Sequence, residues 1–237
     1  ELIEPFAGGG IVSLTAAFEN LAKHITMLEI DEDVAAAWQV ILSDHNSQLS
    51  NRIATFDLTR ENILNELNKL NKSLDDIAFC TILKNRVFHG GILAKGSGLL
   101  KNGENGKGIS SRWYPKTLRD RILAINSVRS KIQFIKGDAY KYLNDQSECH
   151  DCYYFIDPPY TKAGKSLYTH YEVDHRELFN LVSMLAGKYM LTYDDSEEIR
   201  SLASEFNLPF KTIEMKTTHH LMKQEIIISD NFSWWLP

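Results

Sequence analysis

No stretch of this 237-residue chain is apolar for the roughly 20 residues that a bilayer-spanning helix requires. No secretory signal stands out at its start either. The chain begins Glu1-Leu2-Ile3-Glu4 without an initiator methionine, which is read as an N-terminally incomplete chain. Cysteine is scarce, and Cys80, Cys149 and Cys152 are too few for a disulfide framework. Cys149-His150-Asp151-Cys152 has the spacing of a zinc or redox pair, but zinc needs two further ligands and no second Cys pair exists. A plain structural role in a reducing, cytosolic setting is expected. Internal repeats and low-complexity tracts are lacking. The length fits one large domain, or a core with a modest insert, and suffices for a sizeable core.

Positive charge is in deficit overall, at −5, yet it is concentrated. Lys84 to Lys131 holds eleven Lys or Arg against Glu104 and Asp120, a local +9 that leaves −14 for the remainder. Such asymmetry suggests a phosphate-binding face on an acidic body. A solvated basic loop is the plainer reading.

Alternation of element types is the next signal. Leu2-Ile3 reads as the end of a strand, Val12 to Leu21 as a helix, Ile25 to Ile30 as a strand and Asp33 to Leu42 as a helix. That β-α-β-α opening favours a parallel sheet. Leu58 to Leu70 and Leu74 to Phe88 then look helical with no strand between them. Gly90 to Ser111 carries seven glycines, as expected of a functional or mobile loop. Its Gly103–Gly108 pattern is no P-loop, since no Gly-Lys-Ser/Thr occurs and no strand feeds it. Pro115 is expected to start a helix running to about Val128. Alternation resumes with a strand at Ile132–Ile135, a helix at Ala139–Leu143, a strand at Tyr153–Ile156 and a helix capped by Asp174. A strand at Tyr189–Tyr193 and a helix at Ser196–Phe206 follow. Phe210–Met215 and Glu225–Ser229 are expected to close the sheet as an antiparallel pair. The expected fold is a Rossmann-like, doubly wound, mostly parallel α/β sheet. Residues 1–56 and 131–237 would form the catalytic domain, and 57–130 a mainly helical and loop insert. Met184 and Met190 are read as core residues. Trp113 and Tyr114 are read as core aromatics or as part of the insert's binding surface.

Three strand ends carry acids. Glu4-Pro5-Phe6-Ala7-Gly8-Gly9-Gly10 lies between a strand and a helix, where glycines let the backbone approach a ligand closely. A packing turn is the plain alternative, and the third glycine of the dinucleotide fingerprint is absent. Glu4 would repel phosphate and suits a cationic ligand, such as the amino-acid end of S-adenosylmethionine. Glu29 closes the second strand about 20 residues beyond the turn, where an acid commonly bonds ribose hydroxyls. Ile30 beside it could pack on an adenine ring. Asp138 could accept from an adenine amine, cap the helix that starts at Ala139, or do both.

The most informative segment is Asp157-Pro158-Pro159-Tyr160, at the end of the apolar run Tyr153–Ile156. An acid, two rigid prolines and an aromatic ring there can grip a planar base by its amino group.

Taken together, Phe6-Ala7-Gly8-Gly9-Gly10, then a basic insert, then Asp157-Pro158-Pro159-Tyr160 resembles the Dam-like (DPPY, alpha-group) class of adenine-specific DNA methyltransferases. Further matches are Lys84-Asn85-Arg86 with Phe88 and Gly90-Gly91, Arg112-Trp113-Tyr114-Pro115 and Gly137-Asp138. After the acidic motif come Leu167-Tyr168-Thr169-His170, Leu191-Thr192-Tyr193-Asp194-Asp195 and Met215-Lys216-Thr217-Thr218-His219-His220. The resemblance covers nearly the whole chain. The family usually has a Gly-Gly-Lys segment upstream of the first strand that completes the methionine pocket, and this chain begins after it.

The resemblance implies a class I methyltransferase fold, S-adenosylmethionine as cofactor with S-adenosylhomocysteine as product, and no metal. It implies catalysis by Asp157, Pro158, Pro159 and Tyr160 on an adenine flipped out of the duplex. Cofactor contacts would come from Glu4, Pro5, Phe6, Ala7, Gly8, Gly10, Glu29, Ile30, Asp138, Ala139 and Asp157. Double-stranded DNA would meet Lys84, Arg86, Lys95, Arg112, Lys116, Arg119, His170 and His219, with Arg121 also on phosphates and Lys101, like Lys95 and Arg112, entering a groove. A metal site at His170, His219 and His220 lacks any fixed ligand spacing, so DNA contact is the expectation for them. Other partners would be a cognate restriction endonuclease at the level of the system, and no membrane. The expected state is a monomer or weak dimer in a prokaryotic or phage-type cytoplasm. The alternatives are action on cytosine's amine or an RNA base, or an impaired DNA-binding module without its N-terminal cofactor segment.

Overall fold

The computed structural model describes residues 1–91, 93, 97–103, 106–160, 173–216, 222–233 and 235. In chain order the elements are β1 (Leu2–Glu4), α1 (Ile11–Phe18), β2 (Ile25–Glu29), α2 (Glu32–Ile41), α3 (Asn46–Thr55), α4 (Arg60–Leu67) and α5 (Leu74–Val87). Then come α6 (Pro115–Ile125), β3 (Ile132–Lys136), α7 (Ala139–Asp145), β4 (Tyr153–Ile156), α8 (His175–Ser183), β5 (Lys188–Asp194), α9 (Glu197–Glu205), β6 (Phe210–Lys216) and β7 (Met222–Ser229). Strand order across the sheet is β3-β2-β1-β4-β5-β7-β6, parallel between β2 and β5 and antiparallel from β5 through β7 to β6. This is the expected mixed α/β sheet with an antiparallel close.

The chain forms two compact units, one of Glu1–Glu29 with the described parts of Gly137–Lys165 and Tyr171–Pro237, the other containing Ile30–Lys136. In the first unit the strands are buried because helices cover the sheet. Ile3, Tyr154, Ile156, Leu191 and Tyr193 are wholly inaccessible, as central strands of a covered sheet require. The order reverses between β1 and β4, and it is beyond the C-terminal strand ends at such a switch point that α/β sheets place their ligands. Register fixes who meets there: β4 pairs with β5 as Tyr153↔Lys188 through Ile156↔Leu191. One step further along, Asp157 lies beside Thr192. β5 in turn aligns Tyr193 with Ile226 and Asp194 with Glu225 of β7.

Helix starts follow local chemistry. Asp174 accepts from the Glu177 amide at 3.0 Å and Ser196 from Ile199 at 3.3 Å. α1 is entered through Gly10 at φ 62°, a left-handed conformation that glycine adopts without a Cβ clash.

The second unit is helical apart from β3. α5 begins with a capping box in which the Ser73 hydroxyl and the Asp76 carboxylate each bond the other's amide. Asp76 also takes Lys69 Nζ at 2.8 Å and Arg52 Nη1 at 3.0 Å, which holds its carboxyl far below the usual range. Phe56 packs against Phe79 and Trp113, with ring centroids 5.1 and 6.0 Å apart. Trp113 is therefore a core aromatic, whereas Tyr114 is exposed. α3 has no counterpart in the sequence reading. Its sequence Asn-Ser-Gln-Leu-Ser-Asn-Arg-Ile-Ala-Thr is mostly polar, and its buried Asn46 is satisfied by the Ile41 and Ile122 carbonyls at 2.7 and 2.9 Å.

Two expectations are corrected. Cys149 and Cys152 are joined by a disulfide with Cα atoms 5.5 Å apart, so cysteine usage does not support a reducing setting. A turn between α7 and β4, with the Cys149 amide bonded to the Gln146 carbonyl at 3.1 Å, folds the two side chains together. Met184 is half exposed because it caps the C-terminal end of α8 rather than its apolar face, while Met190 is partly buried on β5.

Candidate active site

Within the first unit, the ends of β1, β2 and β4 and the start of α7 bring together the expected acids. Glu4, at the end of β1, is 3% exposed, and its Oε2 accepts from the Ser13 amide at 3.0 Å. Burial pushes its carboxyl above the ordinary value, opposed by the Ser13 bond and reinforced by the charge of Asp157. Glu29 reaches across to the glycine turn, where its Oε2 accepts from the Gly8 amide at 3.0 Å. The turn is further fixed by Ala7 N to Leu28 O at 2.9 Å and Gly10 N to Ala7 O at 2.7 Å. A Cβ built on Gly8 or Gly9 would meet nothing within 4 Å, so the turn borders open space. Asp138 caps α7 through the Tyr140 amide at 2.8 Å and is itself exposed. Pro5 and Ala7 are buried, while Phe6 is half-buried and meets Tyr140 edge to face at 6.4 Å.

Asp157 is exposed just past the C-terminal end of β4, and Pro158 behind it is buried. Its Oδ1 accepts from the Thr192 hydroxyl at 2.7 Å. Tyr160 packs against Tyr193, with centroids 5.7 Å apart and planes 34° apart, and Lys223 Nζ stands 5.4 Å over its ring. Burial pushes the Tyr160 phenol far up, helped by the charges of Asp157 and Glu225 and by a hydrogen bond to Asp157. Tyr193 is wholly buried and bonded through its hydroxyl to His175 Nδ1 at 2.7 Å. Lys223 pairs with Asp194, with Glu225 also at 4.0 Å. Burial pushes the Glu225 carboxyl up, against the pull of Lys223 and with the push of Asp194 and Asp157.

Thr192, Tyr193, His175, Lys223 and Glu225 had no assigned role in the sequence reading. The register of β4, β5 and β7 brings Thr192, Tyr193, Lys223 and Glu225 to the acidic motif, and His175 reaches it from the start of α8 through Tyr193. A cleft of about 810 Å³ lies at the opposite edge of the same sheet, lined by residues that begin the strands, such as Leu2, Tyr153 and Lys188. The titratable residues converge instead at the strands' C-terminal ends.

In the second unit Lys84 ends α5 in an ion pair with Asp33 at 2.7 Å. Arg86 is half-buried, and burial together with Arg112 and Arg121 pulls its guanidinium below the ordinary value. Arg112 donates to the Phe88 carbonyl. Lys116, Arg119 and Arg121 lie on α6, with Lys116 and Arg121 exposed and Arg119 3.9 Å from Asp120. Ile30 opens this unit, 47% exposed. Lys95, His170, His219 and His220 lie outside the described residues. Among the described residues no group of three or more His, Cys, Asp or Glu could hold a metal, and no helix is long and apolar enough to cross a membrane.

Residues 1–221 match the family model for D12 class N6 adenine-specific DNA methyltransferases. A comparison with curated proteins finds no match. Among solved structures, a protein of Pyrococcus horikoshii provisionally assigned as an RNA methyltransferase aligns at a TM-score of 0.41 and 10% identity, covering 96% of this chain and 72% of that one. A provisionally assigned methylase of Haemophilus influenzae aligns at 0.38 and 11% identity, covering 96% and 85%. Precorrin 8W decarboxylase of Methanobacterium thermoautotrophicum aligns at 0.37 and 8%, covering 97% and 80%.

Proposed function

The chain belongs to the D12 class of N6 adenine-specific DNA methyltransferases, and from that premise we propose that it methylates a flipped adenine in duplex DNA with S-adenosylmethionine. The observation that carries this reading is the exposed Asp157 at the switch point of the sheet, backed by a buried proline and a half-buried aromatic ring.

The acids suit the cofactor. Glu4 would face its cationic amino-acid end, Glu29 its ribose and Asp138 its adenine amine. Pro5, Phe6, Ala7, Gly8, Gly10, Ile30 and Ala139 would line the rest. S-adenosylmethionine supplies a methyl group already activated on a sulfonium.

The chain's own residues deal with the target base. An adenine amine is a poor nucleophile because its lone pair is delocalised into the ring. Asp157 and the Pro158 carbonyl accepting its two N–H groups would localise that pair on nitrogen. Pro158 and Pro159 would fix the chain so that the carbonyl points outward, and Tyr160 would stack on the flipped base. Positioning would supply most of the acceleration. The insert at 57–130 is assigned to DNA recognition. Lys84, Arg86, Lys116 and Arg119 would contact phosphates, and Lys95, Arg112, His170 and His219 would lie at the target strand. Lys84 would have to exchange Asp33 for a phosphate. A cytoplasmic location is part of the same reading.

The test supplies labelled S-adenosylmethionine with duplex DNA, RNA and free bases and identifies the methylated nucleoside. Label is expected in adenine of DNA. Label confined to RNA or to cytosine would overturn the substrate assignment. DNA affinity should fall steeply with added salt, because phosphate contacts release counterions. A flat response would remove the basic insert from the DNA face.

A further inference from the structure

The Asp157 carboxylate sits in an acidic neighbourhood. Its charge helps raise the carboxyls of both Glu4 and Glu225. An exposed carboxylate repelled from two sides has no reason of its own to hold one rotamer. What opposes that freedom is hydrogen bonding: the Thr192 hydroxyl donates to Oδ1 at 2.7 Å, and the Tyr160 phenol bonds the same carboxylate. Thr192 is well placed for this. The β4–β5 register puts it directly across from Asp157, and the antiparallel pairing Thr192↔Ile227 holds its backbone from the other side. The next residue, Tyr193, is buried and carries the Tyr160 ring. One strand end thus supports both the acid and the aromatic of the Asp157-Pro158-Pro159-Tyr160 motif.

We propose that Thr192 is a positioning residue for methyl transfer: its hydroxyl ties down Oδ1 of Asp157 and, together with the Tyr160 phenol, sets the rotamer in which the carboxylate meets the target amine. The role rests on the methyltransferase reading above. A neutral donor suits this task better than a cation would. Lys or Arg in its place would draw the carboxylate's charge toward itself and weaken its hold on the amine's hydrogen. β-Branching adds a second constraint, since it restricts χ1 of threonine on a strand.

The test measures single-turnover methyl transfer to unmethylated duplex DNA at saturating cofactor, for wild type, Thr192→Val and Thr192→Ser. Binding of S-adenosylhomocysteine by calorimetry and of DNA by anisotropy is measured alongside. Valine keeps the branching and removes the donor, so the transfer rate should fall about 10- to 100-fold. Both affinities should stay within about twofold, because Thr192 positions the acid rather than holding either ligand. Serine restores the hydroxyl and should recover the rate to within about threefold of wild type. An undiminished rate for Thr192→Val would overturn the proposal. So would a fall in rate matched by lost cofactor or DNA affinity, or a serine variant as slow as valine. Wild-type protein that transfers no label would instead overturn the methyltransferase reading, and this role with it.

Discussion

At the strand ends of the first unit, Asp157 and Glu4 are held by neutral donors, the Thr192 hydroxyl and the Ser13 amide. At the start of α5 in the second unit, Asp76 is gripped by Lys69, Arg52 and the Ser73 hydroxyl. The consequences run in opposite directions. Burial drives the Glu4 carboxyl upward, and its cations drive that of Asp76 downward. An acid matched to cations inside a helix cap stabilises the fold at neutral pH. Acids gathered at strand ends without such matching detract from stability and leave charge ready for a ligand.

The sharpest way to break this contrast is Asp157→Ala. Methyl transfer should fall at least about 10³-fold, while the unfolding free energy from urea titration stays within about 0.5 kcal/mol of wild type or rises slightly. A marked loss of stability would make Asp157 a structural residue after all.

Asp76→Asn should do the reverse, costing about 2–3 kcal/mol of unfolding free energy at pH 7. Transfer at a temperature where the variant remains folded should be untouched. Because the folded-state pKa of Asp76 is depressed, its stabilisation is present above the ordinary carboxylate value and fades as pH falls toward the folded one. The gap between variant and wild type should therefore narrow below about pH 4 in urea titrations. A gap independent of pH would assign the effect to the cap geometry alone.

Glu4→Gln gives the smallest effect. The folded-state pKa of Glu4 is raised, so ionisation destabilises the fold at neutral pH and the penalty vanishes once pH drops below the ordinary value. Glutamine should thus be up to about 1 kcal/mol more stable at pH 7, with no gain near pH 4. Calorimetry should show weaker S-adenosylmethionine binding in the same variant. Loss of stability at pH 7 would mean that Glu4 serves the fold.

Much of this was legible in the sequence. Periodicity placed β4 at Tyr153–Ile156 with its bounds intact, and the other six strands within a few residues, because buried strands are short, apolar and β-branched or aromatic. Caps at Asp138 and Asp174 are local chemistry and can be read locally. α3 could not be read, since its burial depends on Asn46 finding carbonyls five and 76 positions away. Nor could the Cys149–Cys152 bond, which depends on the turn before β4 rather than on cysteine count.

The sequence by itself determined the chemistry available: which acids end strands, where the rigid prolines lie and how basic charge is concentrated. These depend on residue type and short-range order, which are covalent facts. Only the tertiary structure decided which neutral groups meet those acids. Thr192 lies 35 positions from Asp157 and becomes its partner through strand register alone. A slip of one residue would turn Thr192 to the other face of the sheet and leave Asp157 without that bond.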